Sequence, residues 1–292
     1  MIVTVTLNPA LHVRYTAEGV LAGRLNRVSA AAYRAGGSGL AVARLLQAFG
    51  HEVIAAGLAG GAAGEMIRSD LAASGVATRF TPIGRETRRV IEVTEGADGP
   101  VTGFEEPAPY ITTEELGRLA SDYRKLLDGA TAVVLCGSLP EGLPAETYGT
   151  LATYAADAGV PVVLSTSGEA LRRAAARRPA LVIPEPGEPA AAGPPGPDAL
   201  LASGAAAVAE ISGPGVRVSA GLVRWHAHLD GGPRLPSDAV VAGMVPGTLL
   251  GWSWPDMLRH AVALAAAMRP DGEADLTSYE SLVHRVRITR TS

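Results

Sequence analysis

Short apolar, β-rich runs alternate with stretches of helical Leu and Ala spacing, and this alternation leaves few architectures open. The runs at 2–7, 52–58, 132–135, 160–164 and 181–183 are bounded by Gly, Pro or Asp. Between them lie 39–49, 64–74, 113–127, 145–158 and 168–175, each with the spacing of a helix. Repeated βα units predict a mostly parallel sheet covered by helices on both faces. The segments 13–15, 27–33 and 89–93 alternate differently and interrupt the rhythm. One stretch resists helix altogether: 184–197 carries six prolines among glycines and alanines, and interior proline breaks a helix.

At 292 residues the chain suits one large α/β domain with a small appendage. Apolar residues make up 47%, enough for a substantial core, and only 4% is aromatic, so the core must be aliphatic. Lys and Arg total 25 against 29 Asp and Glu, which gives no electrostatic case for nucleic acid or an anionic membrane. No apolar stretch reaches spanning length, and the N-terminus reads as a strand without a basic leader; the expected location is cytoplasmic. The single cysteine, Cys136, ends an apolar run and reads as a buried thiol with no neighbouring base. His226, His228 and Asp230 have strand spacing that puts two imidazoles on one face. Two ligands and a weakly placed carboxylate fall short of a zinc site, and Trp225 between them suggests a half-buried edge strand.

Five motifs then occur in order. They are Val5-Thr6-Leu7-Asn8-Pro9-Ala10-Leu11, Ala35-Gly36-Gly37-Ser38-Gly39-Leu40-Ala41-Val42-Ala43-Arg44, Thr87-Arg88, Gly137-Ser138-Leu139-Pro140 and Thr166-Ser167-Gly168-Glu169-Ala170-Leu171. Near the C-terminal end stands Leu235-Pro236-Ser237-Asp238-Ala239-Val240-Val241-Ala242-Gly243. Together they resemble PfkB-type sugar kinases of the ribokinase-like fold, in the 1-phosphofructokinase and tagatose-6-phosphate kinase branch. The resemblance implies a three-layer α/β/α sandwich over 1–292, with a small β-lid drawn from about 13–33 and 89–104. Such a lid closes over the sugar and often pairs with a second copy, so a homodimer is expected. The implied activity is ATP- and Mg²⁺-dependent phosphorylation of a phosphorylated ketohexose, of the fructose 1-phosphate or tagatose 6-phosphate class. Asp238 would be the base; His12, Gly36, Gly37, Ser38, Arg88 and Ser138 would meet the sugar ligand; Glu188, Gly215 and Ser237 would lie on the nucleotide side.

The chain departs from the branch at telling places. Leu235 and Pro236 replace glycine-turn residues whose N–H groups form an anion hole, and proline has no N–H. Ser38 replaces a lysine, Ala41 an asparagine, His12 an aspartate and Val90 an asparagine. Glu185 replaces the asparagine of the motif that ends at Glu188, where a solvated surface carboxylate is the plain alternative. Glu210 falls where triphosphate charge would lie and would repel it. Arg34 and Arg89 flank the motifs, either solvated or compensating for lost charge. Asp238 itself also suits a helix cap. A second reading follows: a pseudokinase that binds a sugar phosphate or related ligand without phosphoryl transfer and needs no cofactor. On these residues alone, a thermal-shift panel should show little response to Mg-ATP and a clear response to a sugar phosphate. A nucleotide bound at hundredfold excess over Kd would instead add ~2.7 kcal/mol of stability.

Overall fold

The computed structural model describes residues 1–96, 99–185 and 195–291. Strand β1 (Ile2–Thr6) leads into β2 (Ala10–Ala17) and β3 (Val28–Gly36), then α1 (Ser38–Ala48), β4 (Val53–Ala59), α2 (Gly61–Ala73) and β5 (Ala77–Pro82). After β6 (Arg89–Glu95) and β7 (Val101–Glu105) come α3 (Thr113–Leu127), β8 (Ala132–Cys136), α4 (Thr147–Asp157), β9 (Val162–Ser165), α5 (Gly168–Ala175) and β10 (Leu181–Val182). The rest runs α6 (Pro197–Ser203), β11 (Val208–Ser212), β12 (Gly215–Ala220), β13 (Val223–His228), α7 (Ser237–Leu250), α8 (Trp254–Ala266), α9 (Leu276–Val283) and β14 (Arg287–Thr291). The predicted βα units are all present, and two helices, α3 and α5, match their expected spans.

The main sheet has the order β14-β13-β12-β11-β10-β9-β8-β1-β4-β5. From β11 to β5 every pairing is parallel, and β12, β13 and β14 extend it antiparallel. Strand alternation splits the interior into two cores. Ile2, Val134, Val163 and Ala209 face α1, α2, α7 and α8. Val3, Val133, Val162 and Val208 face α3, α4, α5 and α6. Side chains on both sides of a sheet need helices on both sides, which is why these strands read as unbroken apolar runs. The chain is thus a three-layer α/β/α sandwich with a mostly parallel sheet.

The interrupting segments form a second sheet, β3-β2-β6-β7, at the places expected for the lid. Strand β13, by contrast, is not an edge: β14 pairs with it from Arg224 to His228, a strand the sequence reading did not foresee. The two histidines do share a face, with rings stacked 5.1 Å apart. Asp230 is shared between His228 Nε2 at 3.1 Å and Arg287 Nε at 2.8 Å. Among the described residues no group of three His, Cys, Asp or Glu is placed to hold a metal. Among them, too, no helix is long and apolar enough to cross a membrane.

Thr6, at the end of β1, is hemmed in by three glycines. A Cβ on Gly57 would stand 1.8 Å from the Thr6 carbonyl oxygen, and Gly57 has φ 138°. A Cβ on Gly39 would stand 2.4 Å from Thr6 Oγ1, and one on Gly37 2.9 Å from Thr6 Cγ2. The end of β1 and the start of α1 approach this closely because those glycines carry no side chain. Gly57→Ala should therefore destabilise the protein by about 2–5 kcal/mol, from overpacking against backbone and a disfavoured φ. Gly103→Ala, on the exposed strand β7 with nothing within 4 Å of the new methyl, should stay within about 0.5 kcal/mol. Urea denaturation of both variants checks the pair, and equal effects would refute the packing argument.

Candidate active site

Two helices begin beside one another without side-chain caps. Gly37 is the N-cap of α1, at φ 122°, and Pro236 is the N-cap of α7. In α7 the first helical bond runs from Val240 N–H to the Pro236 carbonyl at 3.2 Å. The N–H groups of Ser237, Asp238 and Ala239, like those of Ser38 and Gly39, meet no acceptor among the described residues. Uncapped helix starts with open N–H groups favour anions. Asp238 does not cap its helix, so the capping explanation for this residue fails.

Ser38, the first residue of α1, lies beside the Asp238 carboxyl on α7 and the Glu185 carboxyl just beyond β10, close enough for its hydroxyl to favour the ionised form of each. Burial pushes Asp238 up to about 6, against the pull of the Ser38 hydroxyl. Burial likewise pushes Glu185 up to about 7; the charge of Asp238 adds to this, while Ser38 and Ser165 oppose it. The Ser165 hydroxyl donates to Glu185 Oε1 at 3.4 Å, and the Glu185 N–H donates to the Thr166 carbonyl at 3.0 Å. Beneath them Cys136 is fully buried, and burial together with both carboxylates raises its thiol. As expected it is a core thiol and no nucleophile.

Several residues that the sequence resemblance assigns to the sugar ligand form a chain of contacts. The Asn8 side-chain amide donates to Ser138 Oγ at 3.0 Å, and Arg88 Nη2 donates to the Asn8 carbonyl at 3.5 Å. Arg88 Nη1 is ion-paired with Glu105 of β7. His12, on β2, lies against Gly36: a Cβ there would meet its ring at 2.0 Å. Burial pushes the His12 imidazole below its ordinary range; Glu92 and Glu105 oppose this, and Arg14 and Arg88 reinforce it. Gly36 and Gly39 make room for the chain's own His12 and Thr6. The flanking arginines are neither free nor merely solvated. Arg34 Nη2 lies 2.6 Å from Glu273 Oε1 and Arg89 Nε 3.0 Å from Glu106 Oε1.

On the other side of Asp238 opens a cleft of about 540 Å³, lined by Pro184, Ile211, Gly213, Arg234, Pro236 and Ser237 among others. Two sequence expectations change here. Leu235 also borders the cleft but is only 4% exposed, packed in the core, with its N–H donating to the Gly213 carbonyl at 3.1 Å. Its bulk is largely absorbed inward. Glu210 stands on the opposite face of β11 from cleft-lining Ile211, across from Arg217 of β12. Its carboxylate therefore does not oppose a ligand in the cleft. Gly215 is packed where a Cβ would meet the Ala227 carbonyl at 2.7 Å, and Gly213 lines the cleft. Glu188, with most of the proline-rich stretch, lies outside the described residues. Sequence reasoning left Asn8 and Glu185 out of the candidate site. Asn8 sat inside a quoted motif and Glu185 at a substituted motif position, so both signals were present.

A parallel sheet between helix layers, a small lid sheet, and a carboxylate where two open helix starts meet define a ribokinase-like protein. The family model described as pfkB family carbohydrate kinase matches residues 8–206. The chain belongs to that family. Its backbone is similar to that of a possible 1-phosphofructokinase from Thermotoga maritima, at 23% identity and TM-score 0.84, covering 100% of this chain and 99% of the other. Phosphofructokinase-2 from Escherichia coli, solved with substrates and products, is 25% identical with TM-score 0.81, covering 97% and 98%. A carbohydrate kinase from Agrobacterium tumefaciens is 16% identical with TM-score 0.74 over 99% of each chain.

The raised Asp238 has a consequence for stability. A carboxyl that holds its proton more tightly when folded favours folding below about pH 4 and loses that contribution as pH rises through about 6. Asp238→Asn should therefore raise stability at pH 8 by about 1–3 kcal/mol and change it little at pH 4. Denaturant melts at the two pH values test this. A variant less stable than wild type at pH 8 would show that Asp238 is a structural anchor.

Proposed function

We propose that this chain transfers a phosphoryl group from ATP to a hydroxyl of a sugar-class acceptor, with Asp238 as the base. The observation that carries the reading is the placement of Asp238. It sits in the first turn of α7, beside Ser38 of α1, with a carboxyl raised to about 6. A base poised there is largely ionised at neutral pH and still able to accept a proton. The acceptor hydroxyl would approach from the Asn8, Arg88 and Ser138 side, and Asp238 would take its proton. The open N–H groups of Ser237 to Ala239 would face the charge of the transferred group.

The residues present fit a nucleotide and its metal. The cleft beside Ser237 has the volume for a ligand, with Arg234 at its border and the α7 start facing anions. Glu185 supplies a carboxylate of the kind magnesium takes alongside phosphate oxygens and water. Bound there, magnesium would neutralise charge on the triphosphate. With Leu235 turned inward and Glu210 on the far face, two of the three objections to ATP fall away. Pro236 remains, and it supports the second reading, in which a ligand binds without phosphoryl transfer. The lid is proposed as the surface of a homodimer, supported by Tyr33 at 51% and Phe104 at 56% exposure on it. One domain spanning 1–292 is proposed on the single sheet that runs from β1 to the C-terminal β14.

Asp238→Asn should lower turnover by ~10²–10⁴-fold while leaving ATP affinity nearly unchanged. In wild type, Mg-ATP at hundredfold excess over Kd should stabilise the fold by ~2.7 kcal/mol. ADP release and thermal shift measure the two. Binding of a sugar ligand with no Mg-ATP stabilisation and no turnover would select the pseudokinase reading.

A further inference from the structure

We propose that the acceptor is an uncharged polyhydroxylated ligand, a free sugar or polyol, and that Glu105 is the residue that excludes a phosphorylated one. The inference rests on the kinase reading for the reaction but on separate residues for the specificity.

A phosphomonoester carries roughly −1.5 to −2 charge at neutral pH and is held by cations with free donors. The contacts joining Ser138, Asn8, Arg88, His12 and Gly36 contain one fixed cation, Arg88. That cation is already engaged. Its side chain is 14% exposed and ion-paired with Glu105, which strand β7 carries directly opposite Val90 of β6. The position that held a lysine in the branch is Ser38, and burial keeps His12 towards its neutral form. The neighbouring arginines bring no spare charge, because Arg14 pairs with Glu92 at 2.8 Å and Arg34 and Arg89 with their own glutamates. With Arg88 and Glu105 offsetting one another, a phosphorylated ligand would bring its anion to contacts with no net positive charge.

The hydrogen-bonding chemistry points the same way. Among the described residues, Asn8 Oδ1 is a buried acceptor with no partner and Arg88 Nε a buried donor with none. Glu105 and Asp238 are acceptors as well. A fully ionised phosphate offers acceptors alone, whereas hydroxyl groups both donate and accept. Neighbouring hydroxyls of a sugar can therefore match this mixture, and a site built to bond hydroxyls rejects ligands that leave its polar groups unpaired.

Calorimetry and coupled ADP release should be run with fructose, tagatose, ribose and myo-inositol, and with fructose 1-phosphate, fructose 6-phosphate and tagatose 6-phosphate. At least one neutral ligand should bind wild type ~10-fold or more tightly than every phosphorylated one, about one charge-assisted hydrogen bond in affinity. Inorganic phosphate should not compete with that ligand. Glu105→Gln releases Arg88 and should tighten binding of a sugar phosphate by ~10–100-fold; Glu105 is 69% exposed, so the fold should tolerate the change. Wild type that prefers a sugar phosphate, or a Glu105→Gln variant with unchanged selectivity, would overturn the inference and leave the kinase reading standing. Neutral-sugar binding without ATP-dependent turnover would overturn the kinase reading and leave the selectivity standing. Failure to bind any compound of either class would overturn the inference.

Discussion

Everything around the candidate site depends on how closely the chain can pack against Thr6. This residue ends β1 in the middle of the sheet, and Gly57 from β4 and Gly37 and Gly39 from the start of α1 all press on it. Any larger side chain at those three places would push α1 away from the sheet or β4 out of register. The closeness has two effects. It directs the chain after β1 into Asn8 and the lid. It also sets the first residue of α1, Ser38, against the first turn of α7. The hydroxyl that lies beside both carboxyls is thus placed by the absence of side chains elsewhere.

That placement concentrates opposing electrostatic demands. Uncapped starts of α1 and α7 favour negative charge, and burial of Asp238 and Glu185 disfavours it. The result is a pair of carboxyls raised above their ordinary range by burial, with the Ser38 hydroxyl pulling the other way. A core of aliphatic groups would be more stable there, and the strain of keeping acids half-desolvated is typical of sites organised for proton transfer. The buried Arg44 shows the contrasting solution a few residues along α1. It pairs with Asp70 and donates to the Ala35 carbonyl at 2.9 Å, so its charge is compensated and it anchors the end of β3.

The layered sheet was legible because each buried strand needs an apolar run and each crossover needs a helix, and both leave periodic marks. The second, four-stranded sheet was legible too, since its strands alternate differently. The antiparallel extension by β13 and β14 was not, because a strand's partner lies far away in sequence and its pattern does not name that partner. The site divided along the same line. Asp238, Arg88, Ser138 and Ser38 were readable as motif positions. The identity of each residue's neighbour was not: nothing in the spacing of Glu105 or Asn8 says that they hold Arg88. Glu210 was misjudged because strand parity decides its face, and a one-residue difference in register reverses it.

The replaced loop before Asp238 shows how a fold can outlast the sequence that usually builds it. A glycine turn gives donors and close approach at once, and Leu235-Pro236 appears at first to forfeit both. In the structure the two jobs are separated. Leu235 donates its N–H to the Gly213 carbonyl and buries its side chain, which ties the loop to the end of β11. Pro236 then sets the φ of −64° from which α7 begins, at a position where helix starts need no N–H from the cap itself. The donors that face the cleft belong to Ser237, Asp238 and Ala239, one turn of helix that the substitution leaves intact. What the loop has lost is flexibility, since a leucine locked in the core and a proline cannot rearrange as glycines can. An anion that meets this helix start therefore meets donors fixed in place by the fold, which stabilise charge without rearrangement.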